Sequence, residues 1–209
     1  MTMNYLQLCQ RLVQETGIAD SGPANTAGQV GDYGRITFWV NDAWLKIQSM
    51  RTNWHWMWGE GTGSLVANTN TVALPSTVES IKRVSLGQAY LERLSFDDFA
   101  DDYRIISAGN PAVFTVRPDN VLLFNAKPTE TKTVTYHYYS KPVSLTDNTS
   151  LPGLPDRYHM LIVYEALKSY ALFDEAPELE RKAVGYFESM LADLHRDQLP
   201  ALSAPATLA

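Results

Sequence analysis

The sequence predicts an α+β fold: helices from both ends of the chain form one helical base, and an antiparallel β module is inserted between them. Three observations predict it. Between Gly34 and Asn53, Ile36, Val40, Ala43, Trp44 and Ile47 recur at three- and four-residue spacing, as on one face of an amphipathic helix. After Asn53 the pattern becomes short alternating runs broken by turn formers, which is how a sheet reads. Beyond Pro155 the helical spacing returns.

Asn4 to Thr16 reads as a short amphipathic helix that stops at Gly17. Residues 17–33 are rich in Gly, Ala and small polar side chains and form either a packing arm or a loose loop. In the helix that follows, Asp42, Lys46 and Gln48 fall off the apolar stripe and are expected to face water. Trp54, Trp56 and Trp58 then alternate with His55 and Met57 as a strand would. Gly59, Gly61 and Gly63 read as a glycine-rich turn.

Ser64–Ala67 and Thr71–Leu74 are expected to pair as a hairpin around Asn68-Thr69-Asn70. Val78–Ser85 and Ala89–Leu94 form a second candidate hairpin around Leu86-Gly87-Gln88. Ser95 is expected to cap a short helix with Phe96 and Phe99 facing inward. Val113–Arg117 and Val121–Asn125 flank the turn Pro118-Asp119-Asn120. Lys132–Ser140 is a long strand with Val134, Tyr136 and Tyr138 on one face.

Residues 141–155 form the return linker, within which Leu151–Pro155 sets the angle at which the next helix starts. Tyr158–Phe173 is apolar nearly all round, so it must be covered on more than one side. Pro177 opens a last helix with Leu179, Ala183, Phe187, Met190 and Leu194 as its stripe. The organisation is then 1–55 helical, 56–150 β, 151–196 helical and 197–209 an extended tail. That tail has two prolines and, after Asp197, no charged side chain. It is either disordered or lies extended on a partner.

The 209 residues carry a formal net charge of −6 and a sequence pI near 5.2. That balance argues against a dedicated nucleic-acid binder, which presents a basic surface. An acidic protein can still line a passage through which DNA slides without sticking. The lone Cys9 excludes an intramolecular disulfide and is expected to be buried. No signal-like start and no apolar run of membrane-spanning length is present, so a soluble, cytoplasmically made protein is expected.

Catalytic and metal-binding patterns find little support. Asp97, Asp98, Asp101 and Asp102 lack the spacing of a calcium loop and suit the first turns of a helix instead. A hydrolase built on them would have no visible partner residue. His55, His137, His159 and His195 show no zinc-ligand spacing, and no Gly-Lys-Ser/Thr follows the glycines to make a phosphate cradle. No nucleophile elbow is present and Cys9 has no nearby His in the sequence. No catalytic residue, metal or cofactor is expected. The Trp run and the Tyr-rich stretch 136–139 are read as core or subunit interface before a stacking platform. A glycan- or peptide-binding module using this aromatic β insertion is the alternative.

Several stretches, in order, carry a resemblance: NYLQLCQRLVQETGI, GRITFWVNDAWLKIQSMRTNWHWMW, VALPSTVESIKRV, LSFDDFADDYR, AGNPAVFTV, VLLFNAKP, VTYHYYSKPVSL and LPGLPDRYHMLIVYEALKSYA. Together they resemble the head-to-tail adaptor (connector) proteins of tailed bacteriophages, from about residue 4 to residue 196. The resemblance implies a four-helix bundle and a structural virion protein in the neck between head and tail. Such a protein is assembled in the host cytoplasm, binds the portal ring, extends the DNA channel and docks tail or nozzle proteins. It also implies a homo-oligomeric ring, often dodecameric, that contacts DNA only passively. Expected subunit-interface residues are Trp54, Trp56, Trp58, Tyr164 and Tyr170. Expected portal-binding residues are Leu199, Pro200, Leu202, Pro205 and Leu208 of the tail.

Overall fold

The computed structural model describes residues 2–18 and 21–199. The chain divides into two compact units, one made of residues up to Trp56 together with those from Pro142 onward, the other of Met57–Lys141. The fold is α+β. The helices are α1 (Tyr5–Thr16), α2 (Gly31–Ser49), α3 (Phe96–Asp102), α4 (His159–Phe173) and α5 (Pro177–Gln198).

In the helical unit, α1 starts at a reciprocal cap. The Gln7 amide donates to Asn4 Oδ1 at 2.9 Å, and the Asn4 amide donates to Gln7 Oε1 at 3.0 Å. This satisfies two of the N–H groups that a helix start leaves open. Gly17 ends the helix at φ 79°, a left-handed conformation that glycine adopts without Cβ strain. Tyr5, Leu8, Cys9, Leu12 and Val13 are buried. The Tyr5 hydroxyl donates to the Thr37 carbonyl of α2 at 2.7 Å. On α2, the whole expected stripe from Ile36 to Ile47 is buried.

Gln48 departs from expectation: it is buried. Its side-chain amide donates to Val143 O at 3.1 Å and accepts from Val143 N at 3.0 Å, pairing with the return linker as a strand edge would. Asn41 Oδ1 accepts from Leu145 N at 2.8 Å, and Asn148 Oδ1 accepts from both the amide and the hydroxyl of Thr26. Polar side chains thus supply the backbone partners that these two irregular segments lack internally. The 17–33 connection behaves as a packing arm over its described residues.

Helix α4 packs against α1, α2 and α5, which explains its apolar character on nearly every side. Glu165, 4% exposed on this helix, forms ion pairs with both Lys46 and Lys168. Helix α5 begins with Pro177 in its first turn and buries Ala183, Phe187 and Leu194.

In the β unit, one sheet has the order β1 (Trp58–Leu65), β10 (Lys132–Ser140), β3 (Val78–Leu86), β4 (Ala89–Tyr90), antiparallel throughout. A second has the order β2 (Thr71–Ala73), β8 (Val121–Phe124), β7 (Val113–Val116), β5 (Glu92–Arg93). A two-stranded pair joins β6 (Ser107–Ala108) to β9 (Ala126–Lys127). Their shared core includes Leu65, Val72, Val84, Phe114, Leu122, Phe124, Val134 and Tyr136. The expected antiparallel character holds except at β5–β7 and β6–β9, two-residue parallel pairings made by a chain returning through loops.

The hairpin at Pro118–Asn120 forms as expected, and the one at Gly87 forms with a shorter second strand, Ala89–Tyr90, since Glu92–Arg93 pair with β7. The one around Asn68–Asn70 does not form: β1 pairs with β10 and β2 pairs with β8. The glycines explain this. Gly59, Gly61 and Gly63 lie within β1 and not in a turn. A Cβ on Gly63 would sit 2.6 Å from Val72 Cγ1, so Val72 of β2 occupies the space where a side chain would be. The rings of Tyr136 and Tyr138 fill the same role over Gly61 and Gly59. Bare backbone lets the two strands meet face to face rather than edge to edge.

Three further departures are local. Residues 54–58 are not a strand: His55–Met57 make a 3-10 turn and only Trp58 joins β1. In β10 a register shift between His137 and Tyr138 breaks the alternation, so Tyr139 is buried and Tyr138 is only partly so. Ser95 caps α3 as expected, with Phe99 buried, but Phe96 is 39% exposed.

Candidate assembly surfaces

The residues singled out in the sequence fall at separate places. Trp54 is completely buried within the helical unit, where its Nε1 donates to Ile47 O at 3.1 Å. Its ring stacks on Trp56 (centroids 4.4 Å apart, 20° between planes) and on His195 of α5 (5.4 Å, 21°). Trp54 is therefore closed off from solvent. Burial, with Arg51 nearby, pushes the His195 imidazole below its ordinary pKa. Trp58 lies in the β unit, 48% exposed, edge-on to His137 at 5.4 Å; His137 Nε2 is 3.2 Å from Glu60.

On α4, Tyr164 stacks on Tyr186 of α5 with centroids 5.1 Å apart. Burial and the nearby Glu15 carboxylate raise its pKa, which keeps the phenol neutral. Tyr170 meets Trp39 of α2 edge to face at 6.0 Å and donates its hydroxyl to Asp174 Oδ2 at 3.2 Å. Leu199 is the last described residue; its amide donates to His195 O. Pro200, Leu202, Pro205 and Leu208 lie outside the described residues.

Tyr170 forms one wall of a cleft of about 490 Å³ between the end of α4 and the start of α2. Val30, Ile36, Trp39 and Phe173 make its apolar lining, with Asp32, Arg35 and Asp174 beside it. The Arg35 guanidinium stands 4.5 Å over the Phe173 ring and pairs with Asp32 at 2.7 Å. Exposed apolar residues line it: Val30 is 84% and Phe173 53% exposed. The sequence reading missed Trp39 and Phe173. Trp39 stands three residues after Ile36, so an apolar stripe drawn one residue wider would have included it.

Nothing in these surfaces converges as reacting groups do. Cys9 is buried and its thiol is pushed up to about 12, far from a nucleophilic thiolate. The side chains of Asp97, Asp98, Asp101 and Asp102 are exposed, and no cluster of metal-ligating residues occurs among the described residues. His159 is buried under a structural load: its Nδ1 accepts from Met3 N at 2.9 Å while Nε2 faces Leu154 O at 3.2 Å. Among the described residues, no helix is long and apolar enough to cross a membrane.

Residues 3–209 match the family model described as SU10 adaptor protein. No curated protein matches the chain. With a match that spans almost its entire length, the chain belongs to the SU10 adaptor protein family of bacteriophage structural proteins.

Proposed function

We propose that the chain is a head-to-tail adaptor. It binds the portal ring, extends the DNA channel beyond it and offers the docking site for tail or nozzle proteins. The observation that carries this reading is the family match over residues 3–209. The exposed aromatic and aliphatic side chains of α2, α4 and α5 support it, because large apolar residues left in water serve a stable protein best when another surface covers them. In this reading the four long helices act as a four-helix bundle. Trp56, Trp58, Tyr164 and Tyr170 meet sister copies, and Trp54, the remaining expected interface residue, stacks against Trp56. Repeated side-to-side contacts close into a ring, dodecameric by analogy with similar adaptors.

The arm bearing Leu199, Pro200, Leu202, Pro205 and Leu208 reaches the portal. A net charge of −6 suits a conduit that repels rather than holds DNA. The protein needs no cofactor or catalytic residue for this, assembles in the host cytoplasm and ends in the neck of the virion. Co-sedimentation with purified portal rings tests the reading. The chain should travel with the rings, and deleting residues 198–209 should weaken that association while leaving the circular dichroism spectrum unchanged. Failure of the intact chain to travel with the rings overturns it.

A further inference from the structure

The cleft beside Trp39 and Phe173 fits an occupant that the chain itself carries. We infer that it receives residues 200–209 of a neighbouring copy when no portal is present. The lining is aromatic and aliphatic (Val30, Ile36, Trp39, Tyr170, Phe173). At its rim Arg35 pairs with Asp32 at 2.7 Å, and the Asp174 carboxylate, which keeps its charge, accepts from the Tyr170 hydroxyl at 3.2 Å. Such a cleft asks its ligand for apolar surface and disfavours acidic side chains. Residues 200–209, PALSAPATLA, offer that: two prolines, two leucines and no ionisable side chain. Aromatic-lined grooves bind extended proline-bearing segments well, because proline restricts the free segment and lowers the entropy lost on docking.

Geometry decides whose segment it is. The cleft lies by Phe173 and Asp174, at the end of the helical unit where α5 begins, whereas Leu199 follows the other end of α5. The 22 residues of α5 span about 33 Å at 1.5 Å per residue. Ten extended residues reach at most about 36 Å. A chain folding back on itself would exhaust the segment in arriving, with nothing left to fill the cleft. A neighbouring copy can bring its segment in directly. The contact is heterologous, each copy giving an arm and receiving one. Portal, in the adaptor reading, competes for the same arm.

Sedimentation velocity of the full chain over a wide concentration range, with no portal present, tests this. The chain should self-associate as concentration rises. Phe173→Ser, at a 53% exposed position that the fold can spare, should weaken association at least about tenfold. Deletion of 200–209 should do the same. Mixing those two variants should restore a complex, because the pair retains one intact cleft and one intact arm. The peptide PALSAPATLA should compete with self-association of the intact chain. Monomeric behaviour of the intact chain at all concentrations, or variants that associate as it does, would overturn the inference. A mixture that stays monomeric, or arm protection from proteolysis that is independent of concentration, would do so too. Portal plays no part in these measurements, so their failure leaves the adaptor reading standing, and failure of portal binding leaves the cleft assignment standing.

Discussion

Replacing Gly61 by Ala tests how the β unit is held together. A Cβ on Gly61 would lie 2.6 Å from both Cε2 and Cζ of Tyr136 and 2.7 Å from its hydroxyl oxygen. Carbon atoms rest about 3.5–4.0 Å apart, so the ring would have to retreat by roughly 1 Å. It has little room: Tyr136 is 3% exposed and belongs to the core with Val84, its partner across β3. Overpacking a filled core costs about 1–3 kcal/mol. Against this, alanine in a strand gains roughly 0.5–1 kcal/mol over glycine through the smaller entropy it loses. The net expectation is a loss of roughly 1 kcal/mol, at most about 2.5 kcal/mol, read from the urea midpoint of unfolding. Adding Tyr136→Val in the Gly61→Ala background removes the clashing ring. The penalty of Gly61→Ala should then vanish when the double variant is compared with Tyr136→Val alone. A Gly61→Ala protein as stable as the parent would refute the idea that bare backbone admits the tyrosines.

Other positions give independent checks. Gly185 sits inside α5 with nothing within 4 Å of a built Cβ, so Gly185→Ala should raise stability by about 0.5–1 kcal/mol in the same urea assay. Glu165 is held by Lys46 and Lys168; removing both with Lys46→Met and Lys168→Met strands a buried carboxylate and should cost about 3 kcal/mol. Glu165→Met should instead stay within about 1.5 kcal/mol of the parent, because both lysines retain access to water. Burial holds the His159 imidazole below its ordinary value of 6.5, against the pull of the Asp156 carboxylate. The folded state thus binds fewer protons than the unfolded one. The contribution of His159 is complete above pH 6.5 and is lost as pH falls through 6.5 toward the lower folded value. Urea midpoints between pH 7.5 and 5 should fall, and His159→Gln should flatten that slope.

Much of the helical unit was legible because its signals are local. The Ile36–Ile47 stripe, Gly17 and Pro177 each act within a few turns of their own helix. The hairpin turns at Gly87 and Asn120 were legible for the same reason. Strand partnership was not. Nothing near Ser64–Ala67 reveals that Thr71–Ala73 will turn to Leu122 and its neighbours, because that choice depends on Val72 fitting over Gly63 and on strands fifty residues away. Gln48 misled for a related reason: a polar residue reads as solvent-facing until the distant Val143 backbone arrives to satisfy it. The three tryptophans alternate as a strand does, yet stacking between Trp54, Trp56 and His195 overrides that period. Of the candidate surfaces, Tyr164 and Tyr170 could be placed on an over-apolar helix. The cleft could not, since it forms only where α2 and α4 bring Trp39, Tyr170 and Phe173 together.

Electron microscopy of portal rings incubated with the chain addresses the central claim most directly. The account predicts a continuous collar of extra density on the tail-facing side of the portal, made of repeated copies whose helical units touch side by side. Portal rings that look the same with and without the chain, under conditions where the chain is folded and in excess, would contradict it.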